Sequence, residues 1–241
     1  MFRHMKRTEE EPIIRIGNDT PAVIVVDDFY SDPDAVREYA LSQNYQKPGE
    51  HGAVGHRCEE GRKLFEGTRE AFEKLLSGKL KEGDEEGGWN YSTNGCFQWC
   101  PAGTRLVYHH DSQQWAGSVY LTPNAPPEAG TSFYIHKQLG LDKMPKDPPD
   151  WWTLHSQMYK NNSDEPNFLD RTPWEEIDRV GNKYNRLVLW DAQRVHSASQ
   201  YFGDQIHNSR LFHLFFFNLD TDPVHDSSPP VGRRRHRGYD E

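Results

Sequence analysis

Two histidines and an aspartate carry the clearest chemical signal in the chain. His109 and Asp111 stand two apart in Tyr108-His109-His110-Asp111, and His196 lies far downstream in Arg194-Val195-His196-Ser197. On an extended strand, side chains two apart point to the same face, so His109 and Asp111 share a face and His110 is directed to the other. An imidazole and a carboxylate presented together are two legs of a metal site, and a third leg must come from elsewhere. Two histidines and one carboxylate on one face of an octahedral ion leave the other positions open, which suits non-haem Fe(II) and oxygen chemistry. A bare His-x-Asp pair is weak evidence. Its weight here comes from the flanking strands, from His196 after the strand-like run Asn185–Trp190, and from Arg210 further on.

Holding three ligands from distant positions requires a β framework, and the apolar residues are distributed to build one. They concentrate at 106–121, 186–190 and 211–219. Alternation predicts strands at 90–100 (interrupted by Gly95), 104–111, 115–122, 131–136, 185–191, 194–199 and 210–219. In the last of these Arg210, Phe212, Leu214 and Phe216 share one face, and Leu211, His213, Phe215 and Phe217 share the other. A strand apolar on both faces is covered on both sides. Upstream, Ala22–Val26 reads as a strand and Ser31 as the N-cap of a helix reaching about Ser42. A second amphipathic helix is expected at about 64–80. The fold class is therefore mainly β with flanking helices: a jelly roll of two packed antiparallel sheets, the double-stranded β-helix or cupin-like architecture.

With 241 residues, one domain is expected over 1–219. Its helical N-terminal support spans about 22–80 and its jelly-roll core about 89–219, followed by a disordered tail at 220–241. Residues 137–183 interrupt the strand pattern with a helix expected at about 150–160 and a helix start at Pro173-Trp174-Glu175-Glu176. Long inserts at a barrel mouth often serve as lids, and a lid-like role is the expectation here, although Trp151, Trp152 and Trp174 would equally serve to pack the insert down.

A formal charge of −9 and a mean hydropathy of −0.93 argue against a nucleic-acid surface. The only basic run, Arg233–Arg237, lies in the Pro/Ser/Gly-rich tail. Three cysteines (Cys58, Cys96, Cys100), no signal-peptide pattern and no apolar run of about 18 residues predict a soluble, cytoplasmic protein without a membrane partner. Of the remaining histidines, His136, His155 and His207 are expected on the surface or the insert, and His110 and His213 away from the metal.

The order His109-x-Asp111, His196, Arg210 resembles the Fe(II)- and 2-oxoglutarate-dependent oxygenases of the double-stranded β-helix superfamily, more narrowly their prolyl-4-hydroxylase-like branch. Gly103 before the metal pair, Tyr120-Leu121, Gly130-Thr131-Ser132-Phe133 and the entry Val25-Val26-Asp27-Asp28-Phe29 carry the resemblance. It departs from the branch at Cys100, where a Tyr is usual, at Arg210, where a Lys is common, in a longer gap after His196, and in the insert. The resemblance implies Fe(II) held by His109, Asp111 and His196. It also implies 2-oxoglutarate with its far carboxylate on Arg210, assisted by Tyr120 and Gln98 from neighbouring strands. The implied reaction consumes O2 and 2-oxoglutarate, releases succinate and CO2, and hydroxylates a C–H bond of a small-molecule or amino-acid-like substrate. Asp111 is intact, which favours hydroxylation over halogenation. Two other readings stand beside it: a zinc-dependent hydrolase or lyase on the same barrel, and a non-catalytic binding protein.

Overall fold

The computed structural model describes residues 14–16 (backbone only), 22–47, 54–146, 148–159 and 166–220. The disordered tail expected at 220–241 lies outside them except for Asp220, whose N–H donates to Lys79 O at 2.8 Å. Two antiparallel sheets form the body. The larger joins seven strands: β1 (Ile14–Ile16), β2 (Val23–Val26), β3 (His56–Cys58), β4 (Phe97–Cys100), β5 (Trp115–Tyr120), β8 (Leu187–Asp191) and β10 (Arg210–Phe217). Their spatial order is β1-β2-β8-β5-β10-β4-β3. The smaller joins β7 (Trp174–Val180), β6 (Thr131–His136) and β9 (His196–Ala198) in the order β7-β6-β9. β2, β8, β5, β10 and β4 are neighbours in the larger sheet though far apart in sequence, as are β6 and β9 in the smaller, which is the jelly-roll arrangement expected of the pattern.

β10 shows how the sequence assigns its faces. Leu211, Phe215 and Phe217 point to the side where helices α1 (Pro33–Leu41) and α2 (Thr68–Leu76) lie, joining Val36, Ala40, Phe72 and Leu75 in one core. Phe212 and Leu214 point between the sheets and join Ala116, Tyr120, Phe133, Val188 and Trp190 in a second. Fully burying such a side chain is worth roughly 1.5–3 kcal/mol, so a one-residue register slip would turn two cores inside out. His213 sits on the helix side. It is completely buried, accepting from the Tyr30 hydroxyl at 2.6 Å and donating to Gly95 O at 3.0 Å. Glycine is obligatory at Gly130, just before β6, where the end of the paired strand β7 lies close: a Cβ there would lie 1.8 Å from Val180 O.

Four local expectations need correction. Residues 104–108 are irregular, and His109 meets the small sheet through a single bridge to His196. Of the strand expected at 90–100 only 97–100 forms, because 91–95 close a run of turns through Gly95, which has φ +85°. Helix α1 is capped by Asp32, whose carboxylate accepts from Ala35 N, rather than by Ser31. Pro173-Trp174-Glu175-Glu176 opens strand β7, not a helix: β6 offers an unpaired edge, and β7 takes it with Trp174 and Val180 buried and charged side chains between. Edge strands that carry charges resist further pairing.

The insert contains helix α3 (Trp151–Tyr159) as expected. Met158, Tyr159 and Trp174 form a third core with Tyr108, Tyr134, Met144 and Val195, on the outer face of the small sheet.

Candidate metal centre

His109 and His196 are held opposite one another by a reciprocal backbone pair, His109 N to His196 O at 3.2 Å and His196 N to His109 O at 2.8 Å. Residues directly opposite across an antiparallel bridge present their side chains to the same face. The two rings lie 4.4 Å apart between centroids. Asp111 follows two residues on, its backbone N–H donating to Ala192 O at 2.8 Å and its carbonyl accepting from Gln193 Nε2 at 2.8 Å. The ligand atoms of His109, Asp111 and His196 all lie within 4.8 Å of one another.

Hydrogen bonding sets the tautomers. His109 Nδ1 lies 3.1 Å from Val107 O, and His196 Nδ1 lies 2.9 Å from Arg194 O. A carbonyl only accepts, so both Nδ1 atoms carry the proton and both Nε2 lone pairs are free. Those lone pairs face the Asp111 carboxylate, Nε2 of His109 being 3.5 Å from Oδ1 and Nε2 of His196 3.4 Å from Oδ2. Burial, followed by the neighbouring His109, pulls the His196 pKa down to about 4, so its imidazole is neutral at pH 7. Two ring nitrogens and a carboxylate therefore converge. Asp111 Oδ2 is buried without a hydrogen-bond partner among the described residues. Leaving a buried carboxylate oxygen unpaired costs several kcal/mol unless a cation satisfies it. The donor set fits a divalent transition metal, and the hydrogen bonds to Val107 O and Arg194 O orient both imidazoles for it.

His110 turns away, as the strand arithmetic predicts. Its Nδ1 meets the Tyr159 hydroxyl of α3 at 2.8 Å, and burial lowers its pKa to about 3. His136 is buried, contrary to its expected surface place. Its Nδ1 accepts from Leu139 N at 3.2 Å and its ring packs edge-on to Trp174. His207 is exposed.

Arg210 begins β10 on the inner face and is 4% exposed. Its guanidinium makes three long contacts, to Ala129 O at 3.4 Å, Gly130 O at 3.3 Å and Thr131 Oγ1 at 3.4 Å. It lies over the rings of Phe212, Tyr120 and Tyr201 at 4.4, 5.3 and 5.9 Å. Among the described residues it has no carboxylate partner. Tyr120 is wholly buried beside it, its hydroxyl bonded to Thr131 Oγ1 at 2.8 Å. Gln98 reaches the same inner face on β4. Its amide is occupied, donating to Val54 O at 2.8 Å and accepting from Arg57 Nε at 2.8 Å.

The register of β6 on β9 relates the two groups. Thr131, beside Arg210, pairs with Ala198, and Phe133 pairs with His196. These inner-facing positions are two residues, roughly 6.6 Å, apart. Sequence reasoning thus placed the triad, Arg210 and Tyr120 on one cavity face. It missed Thr131 and Tyr201 around Arg210 and Trp190 and Arg194 around His196. For Arg194 a signal existed: it is two residues from His196.

Residues 10–211 match the model of a family described as a family of unknown function, DUF6445, and the chain belongs to that family. No curated protein matches it. Among solved structures, it is similar to HygX from Streptomyces hygroscopicus with nickel, 2-oxoglutarate and hygromycin B bound. The TM-score there is 0.44 at 11% identity, covering 81% of this chain and 82% of that one. It is also similar to a prolyl hydroxylase from Trichoplax adhaerens in complex with a hypoxia inducible factor peptide fragment (TM-score 0.41, 12% identity, 81% and 83% covered). A third likeness is to a Pseudomonas putida prolyl-4-hydroxylase (TM-score 0.36, 14% identity, 82% and 88% covered). All three likenesses are distant.

Proposed function

We propose that this DUF6445 member is an Fe(II)- and 2-oxoglutarate-dependent oxygenase that hydroxylates a C–H bond of a small-molecule or amino-acid-like substrate. One observation carries this reading: a two-histidine, one-carboxylate centre shares the inner face of the sheets with Arg210, a buried guanidinium that lacks a counter-ion among the described residues. A zinc hydrolase or lyase has use for the triad but none for Arg210. A cosubstrate with two carboxylates uses both.

When bound, iron couples O2 and the decarboxylation of 2-oxoglutarate to oxidation of the substrate, with succinate and CO2 as co-products. The chain's residues supply the setting. His109, Asp111 and His196 would hold the ion on one side and leave the remaining positions open. Arg210 would grip the far carboxylate of 2-oxoglutarate, its planar fork matching that group and its charge fixed at any working pH. Tyr120 wedges Arg210 from the β5 side and fixes Thr131. Phe133 and Ala116 keep the centre dry, which strengthens the electrostatic hold on both carboxylates.

Anaerobic titration with Fe(II) and then 2-oxoglutarate tests this, because the chelate gives a visible charge-transfer band, and aerobic succinate formation gives a second readout. Iron binding with a 2-oxoglutarate-dependent band supports the proposal. Tight zinc binding with no response to 2-oxoglutarate would overturn it in favour of a hydrolytic site.

A further inference from the structure

Two more buried donors stand beside the metal centre, and nothing above uses them. Arg194, bridged to Lys143 just before β9, is two residues from His196 and 7% exposed. Its guanidinium lies 5.0 Å from the centroid of Phe133. Trp190 is 4% exposed, its ring 5.0 Å from that of His196 and 6.2 Å from that of Phe133. Arg194 Nε and Trp190 Nε1 are both buried without a hydrogen-bond partner among the described residues. A buried N–H without an acceptor is destabilising, and two such groups bordering the Phe133 ring call for a ligand oxygen.

The register places them away from Arg210. Along the inner face of the small sheet Ala198 stands opposite Thr131, where Arg210 lies, and His196 opposite Phe133, whose ring the Arg194 guanidinium covers from just before β9. A cosubstrate stretched between the metal and Arg210 leaves the Arg194 side of His196 to the substrate. The charges differ as well. Arg210 has no carboxylate partner among the described residues, whereas Arg194 Nη2 lies 3.4 Å from Asp142 Oδ2. With that charge already met, Arg194 lacks an acceptor on Nε rather than a counter-ion. A second carboxylate brought in there would face Asp142.

We propose that Arg194 Nε and Trp190 Nε1 form the substrate-anchoring pair of this centre, recognising an uncharged carbonyl oxygen such as an amide presents. The inference rests on the oxygenase reading and names the substrate class that reading leaves open. It selects carboxamide-bearing compounds over the corresponding free acids.

The test uses the metal-loaded, 2-oxoglutarate-saturated protein and a panel of N-acetyl amino acid amides, each paired with its free acid. Binding is read by melting temperature and by stimulated succinate formation. At about a hundredfold excess over Kd an amide should raise the melting temperature by about 5–10 °C, with its free acid much weaker. Trp190→Phe, which deletes only the indole N–H, should weaken the amide by about 2- to 12-fold. Arg194→Met should weaken it by about 10- to 150-fold. The 2-oxoglutarate-induced shift itself should survive in both. Free acids binding better than amides, no member of the panel shifting the protein, or both variants binding the amide like the parent would each overturn the proposal. If Arg194→Met instead lost the 2-oxoglutarate shift, Arg194 would be a cosubstrate residue and the assignment wrong. Absence of any 2-oxoglutarate shift in the parent is a separate result, which removes the oxygenase reading and this inference with it.

Discussion

Replacing Arg210 with methionine should move stability and cosubstrate affinity in opposite directions. In the structure this guanidinium is almost fully buried, its hydrogen bonds are all 3.3–3.4 Å long, and no carboxylate meets it among the described residues. Bonds of that length are at the weak edge of the range. Desolvating an ion costs several kcal/mol, which three weak bonds and cation–π contacts of about 0.5–2 kcal/mol each only partly offset. Methionine fills a similar volume without a charge, so the apo protein should be unchanged or more stable by up to about 2 kcal/mol. That corresponds to a melting temperature higher by up to about 4–8 °C for a chain of this size. The same change removes a charge-assisted hydrogen-bond pair to the far carboxylate, worth roughly 1.5–3 kcal/mol, and 2-oxoglutarate affinity should fall by about 10- to 150-fold. Arg210→Lys should lose less, since it keeps the charge and forfeits only the fork. Differential scanning fluorimetry of the apo protein and anaerobic titration of the Fe(II) form give the two numbers. A variant that melts well below the parent yet binds 2-oxoglutarate with parental affinity would show that Arg210 is a packing residue and refute the reasoning.

His196→Ala and Asp111→Ala should each abolish stoichiometric iron binding while the circular dichroism of the sheets is retained; metal analysis after dialysis decides it, and full occupancy in either would remove that residue from the centre. His213 has its pKa pushed down to about 3 by burial against an ordinary value of 6.5. The unfolded chain therefore binds the proton first, and stability is full above about pH 6.5 and lost as pH falls towards 3. From pH 6.5 to 5 this residue alone should cost roughly 2 kcal/mol, read by urea unfolding at the two pH values, and a flat profile would contradict it. If the insert acts as a lid, its mobile part is α3, because β7 is a sheet strand. Amide exchange across Trp151–Tyr159 should then slow on adding metal and 2-oxoglutarate while β7 stays unchanged, and equal protection in both states would leave α3 a packing element.

Much of the cavity face was legible because two-residue arithmetic converts spacing directly into sidedness. It gave His109 with Asp111, set His110 apart, and put Arg210 with Phe212 and Leu214 between the sheets. What failed was local hydrogen bonding. The stretch 104–111 alternates like a strand, yet only His109 finds a bridge, because Gly103 at φ +82° and the chain beyond it leave the sheet edge. At Trp174 a proline followed by acidic residues reads as a helix start, but the free edge of β6 supplied hydrogen bonds that no local propensity could outweigh. Arg194 and Trp190 are ordinary in sequence. Only the fold shows their N–H groups buried and unfilled.

The charges of the cavity also follow from these positions. With the proposed divalent ion in place, that ion and Arg210 would bring three positive charges to one buried face and Asp111 would remove one, leaving two to be met in a medium of low dielectric constant. 2-Oxoglutarate is a dianion, and it can neutralise that excess with one carboxylate near the ion and the other at Arg210. A monoanion would leave a buried charge uncompensated, and a neutral ligand would leave two. Arg194 with Asp142 is already close to balanced, so a substrate entering on that side need carry no charge. The same face can thus separate its two ligands by charge: the dianion goes where the arginine is bare, and the neutral acceptor goes where the arginine is paired.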